Sequence, residues 1–155
     1  MREMLINKLH QYMRENNPDL LLQLEEESKV TQYLSDKLSA IEPLLQSQDE
    51  DQPAYIMEEA CMDILTQDLR PSKYNYISQI LQEDFAAPYQ RLQQSGILQF
   101  EIINIITYCQ PVFDETGFTQ ENENSRELQY SITGAINEYF EMNSAKENLP
   151  NSGQV

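Results

Sequence analysis

The sequence is poor in the residues that most reaction centres need. Among its 155 residues there are four glycines, two cysteines, one histidine and no tryptophan. The glycines are scattered, so neither of the common phosphate-cradling loops, which need clustered glycines, can form. The single histidine, His10, excludes every site that needs two imidazoles, including the histidine-bearing di-iron bundle.

Positive charge is also scarce. Lysine and arginine total 10 against 26 aspartates and glutamates, so the formal net charge is −16. Such a charge repels a phosphate backbone, and we predict no direct binding of nucleic acid. Acidic surfaces attract basic ones and speed their encounter, so a partner protein with a basic surface is favoured.

Long apolar runs are missing as well. No window approaches 18 consecutive apolar residues, so we expect no membrane-spanning helix, and residues 1–8 contain no apolar stretch of signal-peptide length. Cys61 and Cys109 lie on predicted helical stripes and are predicted to be buried, reduced thiols. Together these features predict a cytoplasmic protein.

Helical periodicity dominates the rest of the chain. Apolar residues recur at spacings of three and four in segments that prolines, glycines and polar loops interrupt. We therefore predict an all-α fold, an irregular bundle of about six to seven helices in one domain over residues 1–142, followed by a disordered tail at 143–155. The predicted helices cover residues 4–15, 18–45 with a kink or stop near Ile41-Glu42 caused by Pro43, 53–70, 72–85, 88–96, 97–110 and 124–140.

The helix that begins at Pro53 carries two neighbouring apolar stripes, each with a spacing of four residues. The stripe predicted to be buried consists of Ile56, Ala60 and Ile64. The stripe beside it consists of Met57, Cys61 and Leu65.

Residues 97–110 are apolar on most sides and are predicted to form the central buried helix, widened by Ile97, Phe100 and Ile103. Their isoleucines also permit a strand. Pro111 is predicted to end or bend this helix. In the last helix, Gly134 is predicted to let another helix approach closely, since a mid-helix glycine otherwise costs about 1 kcal/mol relative to alanine.

Several segments taken together resemble a known family. They are residues 70–77, 80–85, 109–113 and 133–136, the last followed by Tyr139. In this order they are similar to a small all-helical family of unknown function found in Bacteroidetes, often near mobile or conjugative elements. The resemblance spans residues 5–140 and departs at Thr133-Gly134, where the family has larger polar residues. It implies a helical fold and a mobile-element setting, and supplies no catalytic residue.

The stretch at Arg70, Ser72, Lys73 and Tyr74 is the most distinctive candidate site. It places two of only ten cations beside tyrosines at a predicted helix start, where a phosphate or a carboxylate-bearing partner can bind. The structural interpretation of the same residues is that Arg70 offsets the dipole at the end of the preceding helix and Ser72 caps the next one. Both interpretations stay open at this point.

No reactive constellation emerges from the sequence, so we predict no catalytic residue, no cofactor and no metal site. The acidic loop at residues 49–51 lacks the glycine that a calcium loop needs at the position of Ala54. The favoured function is a non-catalytic protein-interaction or accessory module, with homodimerisation as a further option. The alternatives are a small-ligand binder or enzyme with a tyrosine- and carboxylate-lined cleft, and an acidic DNA mimic that inhibits a nucleic-acid-binding protein.

Overall fold

The computed structural model describes the backbone of residues 1–148 and the side chains of residues 1–144, and most of this part is helical. Residues 1–148 form nine α-helices and one short 3-10 helix, without a strand. The predicted all-α class is therefore confirmed, and the strand alternative for residues 97–110 is wrong. The α-helices are α1 (Arg2–Asn16), α2 (Pro18–Glu26), α3 (Val30–Ala40), α4 (Glu42–Gln46), α5 (Ala54–Leu65), α6 (Lys73–Asp84), α7 (Ala86–Gln94), α8 (Leu98–Thr116) and α9 (Arg126–Asn148); the 3-10 helix is Gln67–Leu69.

The chain divides into two units, Met1–Ser72 and the part that begins at Lys73. We call them the N-terminal unit and the C-terminal unit. Each has its own apolar core among the described residues. The single domain predicted for residues 1–142 stays a prediction.

The number of helices exceeds the predicted six to seven because the single helix expected over residues 18–45 is three helices. Ser28 adopts a left-handed φ of 57°, and the N–H of Lys29 donates to the carbonyl of Leu24 at 2.8 Å, which ends α2 in a Schellman-type turn. Glycine usually occupies the position of Ser28, so the sequence carried no stop signal there. The predicted break near Ile41-Glu42 is confirmed, since α3 ends at Ala40, α4 begins at Glu42 and Pro43 lies in the first turn of α4.

In the N-terminal unit, α1 packs against α2, α3 and α5. Its stripe of Leu5, Leu9 and Met13 is fully buried, as a spacing of four residues on one helix face requires. Around it lies the remaining core: Leu21, Leu24, Leu34, Ile41, Leu45, Met57, Cys61, Leu65 and Leu69.

The register of α5 differs from the prediction by one residue. Met57, Cys61 and Leu65 are the buried stripe, whereas the neighbouring stripe that was expected to face the core is exposed. Ile64 retains 47% of its surface and Leu65 only 2%. Both stripes are apolar with the same spacing, so only packing against α1 decides which one is buried.

In the C-terminal unit, α8 packs against α6, α7 and α9. The prediction that residues 97–110 form the central buried helix is confirmed for the inner face of α8 only. Its outer face is open, because Phe100 and Ile97 retain 65% and 46% of their surface. The core consists of Ile77, Ile80, Leu81, Ile102, Ile105, Ile106, Cys109, Phe113, Leu128, Ile132 and Ile136.

The structure corrects two expectations for this unit. Pro111 does not end α8, which continues to Thr116, and the alternative of a bend at Pro111 stays a prediction. Pro111 and Thr107, whose carbonyl loses its N–H partner to the proline, both lie on the exposed side, where water can replace the missing bond. Gly134 is exposed, and a Cβ added to it meets no atom within 4 Å, so no helix approaches it closely.

The predicted end of this helix at a left-handed Gly96 is confirmed for α7. Gly96 has a φ of +74°, and the N–H of Ile97 donates to the carbonyl of Leu92 at 3.1 Å. At the other end of the unit, α9 extends to Asn148 and so includes the first six residues of the predicted tail. Residues 149–155 of the predicted tail lie outside the described residues.

Candidate functional site

The side chain of Arg70, which follows the 3-10 helix, contacts the C-terminal end of α5. Its Nη2 donates to the Asp63 Oδ1 at 2.9 Å and to the Asp63 carbonyl at 3.0 Å, and its Nε approaches the Thr66 carbonyl at 3.4 Å. These carbonyls belong to the C-terminal turns, where a helix presents unpaired acceptors and partial negative charge. The contacts of Arg70 are those that the structural interpretation predicts.

Ser72 also makes its contact inside the N-terminal unit. Its Oγ donates to the carbonyl of Asn16, the last residue of α1. The neighbouring Asn17 is buried and donates from Nδ2 to the Leu69 carbonyl at 3.2 Å. Two side chains therefore join the break between α1 and α2 to residues 69–72.

Lys73 and Tyr74 are the first residues of the C-terminal unit. Lys73 Nζ donates to Gln110 Oε1 at 3.1 Å and lies 5.3 Å from the centre of the Phe113 ring. Tyr74 is half-buried against the C-terminal core. The four predicted site residues are thus divided two and two between the units, and neither unit contains the complete set.

Tyr76 lies one turn into α6 beside the lysine contact. Its ring meets those of Phe113 and Phe118 edge-on at 6.1 and 5.1 Å. Its hydroxyl is buried with no hydrogen-bond partner, and burial raises the pKa of Tyr76. A neutral phenol in an aromatic cluster has no charge with which to attract a ligand.

The polar cluster between α8 and α9 could not be found from the sequence. Tyr139 donates its hydroxyl proton to Glu101 Oε1 at 2.6 Å, and Asn143 Nδ2 lies 3.4 Å from the same oxygen. The partners are about forty positions apart in the sequence, so no spacing pattern signals them. Burial, together with the bond to Glu101, raises the pKa of Tyr139 to about 12. Tyr139 therefore remains a hydrogen-bond donor at neutral pH and cannot serve as a base.

A shallow groove of about 720 Å³ adjoins this cluster. Tyr74, Tyr76 and Tyr108, the tyrosines from which the sequence predicts a ligand-binding cleft, do not line it. Its charged residues have both signs. The lining includes Arg91, Ile97, Glu101, Phe140, Glu141 and Asn143.

The two cysteines are buried and form no disulfide, as predicted. Burial raises the pKa of both thiols, that of Cys109 to about 12. A nucleophilic cysteine needs the opposite shift, toward the thiolate. Among the described residues, no three side chains of histidine, cysteine, aspartate or glutamate come together as metal ligands.

Both units have an excess of acidic over basic residues. The N-terminal unit has six lysines and arginines against fifteen acids, and the C-terminal unit has four against eleven, which gives −9 and −7. Among the described residues, only Asn17 and Thr66 are polar and buried as whole residues, and Asp19 has one buried carboxylate oxygen.

Five of the six cations in the N-terminal unit already have a carboxylate partner. Arg2 forms a two-pronged contact with Glu42 at 2.6 and 2.8 Å, which lowers the pKa of that carboxyl. Lys37 donates to Asp68 at 2.8 Å and lowers its pKa likewise. The other pairs are Lys8 with Glu58, Lys29 with Glu27 and Arg70 with Asp63. The surplus acids of this unit therefore exceed what its own cations can neutralise.

Among the described helices, none combines the length and the hydropathy that crossing a bilayer requires.

Comparison with known proteins places the chain in a family without assigning it an activity. A family model described as Domain of unknown function (DUF1896) matches residues 5–145, nearly the whole chain. The chain belongs to this family. No curated protein and no solved structure matches it.

Proposed function

We propose that this member of a family of unknown function is a non-catalytic interaction module whose acidic surface binds a basic partner protein. The observation that carries the proposal is the surplus of carboxylates in both units, together with the pairing of five of the six cations of the N-terminal unit. A basic partner supplies the neutralising charge, and long-range attraction speeds the encounter.

Three further points support a binding role over a reaction. The thiols have raised pKa values, Tyr139 remains a hydrogen-bond donor, and the groove beside Tyr139 is lined by charged residues of both signs. We include in the proposal a cytoplasmic setting, with which two free thiols agree, and the Bacteroidetes and mobile-element association that the family resemblance implies.

The test is affinity purification of the tagged full chain from its native host at two salt concentrations. Basic proteins should be retained at about 0.05 M salt and released at about 0.5 M, because the Debye length falls from above 10 Å to about 4 Å. The proposal is contradicted if no basic protein is retained, or if the retained protein binds equally well at both salt concentrations.

Matched variants locate the binding surface. One variant removes three exposed carboxylates of the N-terminal unit, Glu25→Gln, Glu26→Gln and Glu50→Gln. The other removes three from the C-terminal unit, Glu83→Gln, Glu115→Gln and Glu127→Gln. Both change the net charge by the same amount, so a specific partner should be weakened by one variant more than by the other. Equal, small effects indicate only a general attraction of opposite charges.

The DNA-mimic hypothesis is a special case that the same purification addresses. If the retained protein binds nucleic acid, a DNA duplex should displace it from this chain in competition. Retention that DNA does not affect rules out mimicry and leaves the broader proposal standing.

A further inference from the structure

Glu101 of α8 is a half-buried carboxylate without a cation. Its Oε1 accepts hydrogen bonds from the Tyr139 hydroxyl at 2.6 Å and from Asn143 Nδ2 at 3.4 Å, and both donors are neutral. Among the described residues, no lysine or arginine forms an ion pair with Glu101. The two hydrogen bonds hold the carboxylate in position but leave its charge uncompensated.

Two comparable acids of the N-terminal unit do have a cation. Glu42 and Glu58 are also half-buried. Arg2 pairs with the first and Lys8 with the second. An opposite charge stabilises such a carboxylate, because taking it partly out of water costs free energy. Glu101 therefore lacks a partner that these two acids find within the chain.

Apolar residues surround Glu101 in the groove of about 720 Å³ between α7, α8 and α9. They are Leu92, Ile97 and Phe140, of which Ile97 retains 46% of its surface. The volume of the groove lies in the range that ligand sites have. A bare ion leaves these apolar walls in water, so they favour an occupant with an apolar part.

The charges that line the groove favour a cation. Arg91 is the one cation in the described lining, against the carboxylates of Glu101 and Glu141, so the lining is net negative. A lysine or arginine side chain matches both properties of the groove. Its aliphatic stem covers apolar surface while its charged end stays free to reach a carboxylate.

We propose that this groove binds a lysine or arginine side chain of a partner protein, with the stem against the apolar walls and the cation at Glu101. Charge complementarity selects this occupant, because the half-buried carboxylate has only neutral donors around it. The assignment rests on the basic-partner proposal and names a contact through which such a partner binds.

Nuclear magnetic resonance of the isotope-labelled full chain tests the groove without a partner. The probe is Nα-acetyl-lysine amide, and Nα-acetyl-norleucine amide is its control, with the same stem and no ammonium group. We expect the lysine probe to shift the backbone N–H signals of Ile97, Glu101 and Asn143 with a dissociation constant on the order of 1 mM. The norleucine probe should bind at least about fivefold more weakly. Equal affinities, or no saturable shift at these residues, overturn the proposal.

Three charge variants assign the binding to Glu101. Glu101→Gln keeps an oxygen that accepts from Tyr139 and should weaken the lysine probe about fivefold. Arg91→Gln removes a like charge from the groove and should tighten binding about twofold. Glu127→Gln is the matched control, since it removes the same charge from the first turn of α9, about 20 Å along the helix from Glu141.

The control variant should bind the lysine probe as the wild type does. Equal weakening by Glu101→Gln and Glu127→Gln shows only a general attraction and overturns the proposal. Arg91 is exposed, so Arg91→Gln remains a test if Glu101→Gln does not fold. Weaker binding of the lysine probe to Arg91→Gln overturns a cation as the occupant.

Failure of this proposal and failure of the basic-partner proposal are distinguishable. If a basic protein from the host is released from Glu101→Gln and from the wild type at the same salt concentration, the groove is not its docking site and the basic-partner proposal stands. If no basic protein is retained, the basic-partner proposal fails. Binding of the lysine probe then still decides whether the groove takes a basic side chain.

Discussion

Gly134 and Gly96 show how the backbone conformation at a single residue affects stability, because both have free space around them and only Gly96 has a positive φ. A Cβ added to Gly134 or to Gly96 meets no atom within 4 Å. Gly134 lies inside α9, where alanine is favoured by about 1 kcal/mol. We expect Gly134→Ala to raise the free energy of unfolding by up to that amount, measured by urea denaturation.

Gly96→Ala is the control for that substitution. Its φ of +74° lies in the left-handed region, which costs an alanine about 1–2 kcal/mol, so the free energy of unfolding should fall. If Gly134→Ala destabilises the protein, a contact at Gly134 that the structure does not contain must exist.

Ser28 provides the complementary prediction. It holds a left-handed φ of 57° at the end of α2, where glycine is the usual residue. Ser28→Gly removes the strain and adds some freedom to the unfolded chain, for a net gain of about 0.5–1 kcal/mol in denaturation experiments. A loss of stability shows that the serine hydroxyl contributes more than the backbone strain costs.

The Tyr139–Glu101 hydrogen bond predicts a response to alkali. The pKa of Tyr139 rises from an ordinary value of 10 to about 12, so the folded state holds this proton more tightly than the unfolded state. The stabilisation is fully present below pH 10 and is lost as the pH rises toward 12. The midpoint of urea-induced unfolding should fall more steeply between pH 10 and pH 12 for the wild type than for Tyr139→Phe. If the midpoints of the two proteins fall in parallel with pH, the raised pKa of Tyr139 is contradicted.

At the scale of a helix, α5 shows how strongly one residue of register matters. Leu65 is buried and Ile64 is half exposed, although both are apolar and adjacent. Leu65→Ala should lower the free energy of unfolding by about 2–5 kcal/mol, whereas Ile64→Ala should cost less than about 1 kcal/mol. Equal losses in urea denaturation show that the outer stripe of α5 is also covered in solution.

Helix α8 illustrates why prolines are uncertain stop signals. Pro43 lies in the first turn of α4, where a missing N–H breaks no helix hydrogen bond, whereas Pro111 lies inside α8 and removes the bond to the Thr107 carbonyl. Packing explains why α8 nevertheless continues past Pro111. Pro111 lies on the exposed face of a helix whose inner face holds Ile102, Ile105 and Cys109, and that burial stabilises the helix beyond the missing bond.

At the scale of the whole molecule, excess negative charge opposes folding. Each of the five cation–carboxylate pairs has at least one solvent-exposed partner, so each contributes little to stability and salt weakens it. The unneutralised acids outnumber these pairs, so screening their repulsion should dominate. We expect the melting temperature to rise with salt, by about 2–4 °C for each kcal/mol gained.

The control for this prediction is the Glu25→Gln, Glu26→Gln and Glu50→Gln variant, which carries less charge to screen. Its melting temperature should start higher at low salt and respond less. A melting temperature that falls with added salt in the wild type shows that the ion pairs outweigh the repulsion.

Much of the fold could be predicted from local patterns. The stripe of Leu5, Leu9 and Met13 and the left-handed Gly96 are read from sequence alone, because each depends on the spacing or the identity of neighbouring residues. The stop at Ser28 could not be read, since serine there has no characteristic signal. The candidate site at residues 70–74 was predicted as one stretch, but its side chains contact partners in two units.

The sequence by itself determined the helical class, the excess of acid and the absence of an imidazole pair or a glycine-rich loop, because these follow from composition and short-range periodicity. Only the tertiary structure decided which stripe of α5 is buried, which side of α8 is open, and that Glu101 meets Tyr139. The physical reason is that burial depends on residues far apart in the chain, and two equally apolar stripes on one helix cannot be distinguished until another helix packs against one of them.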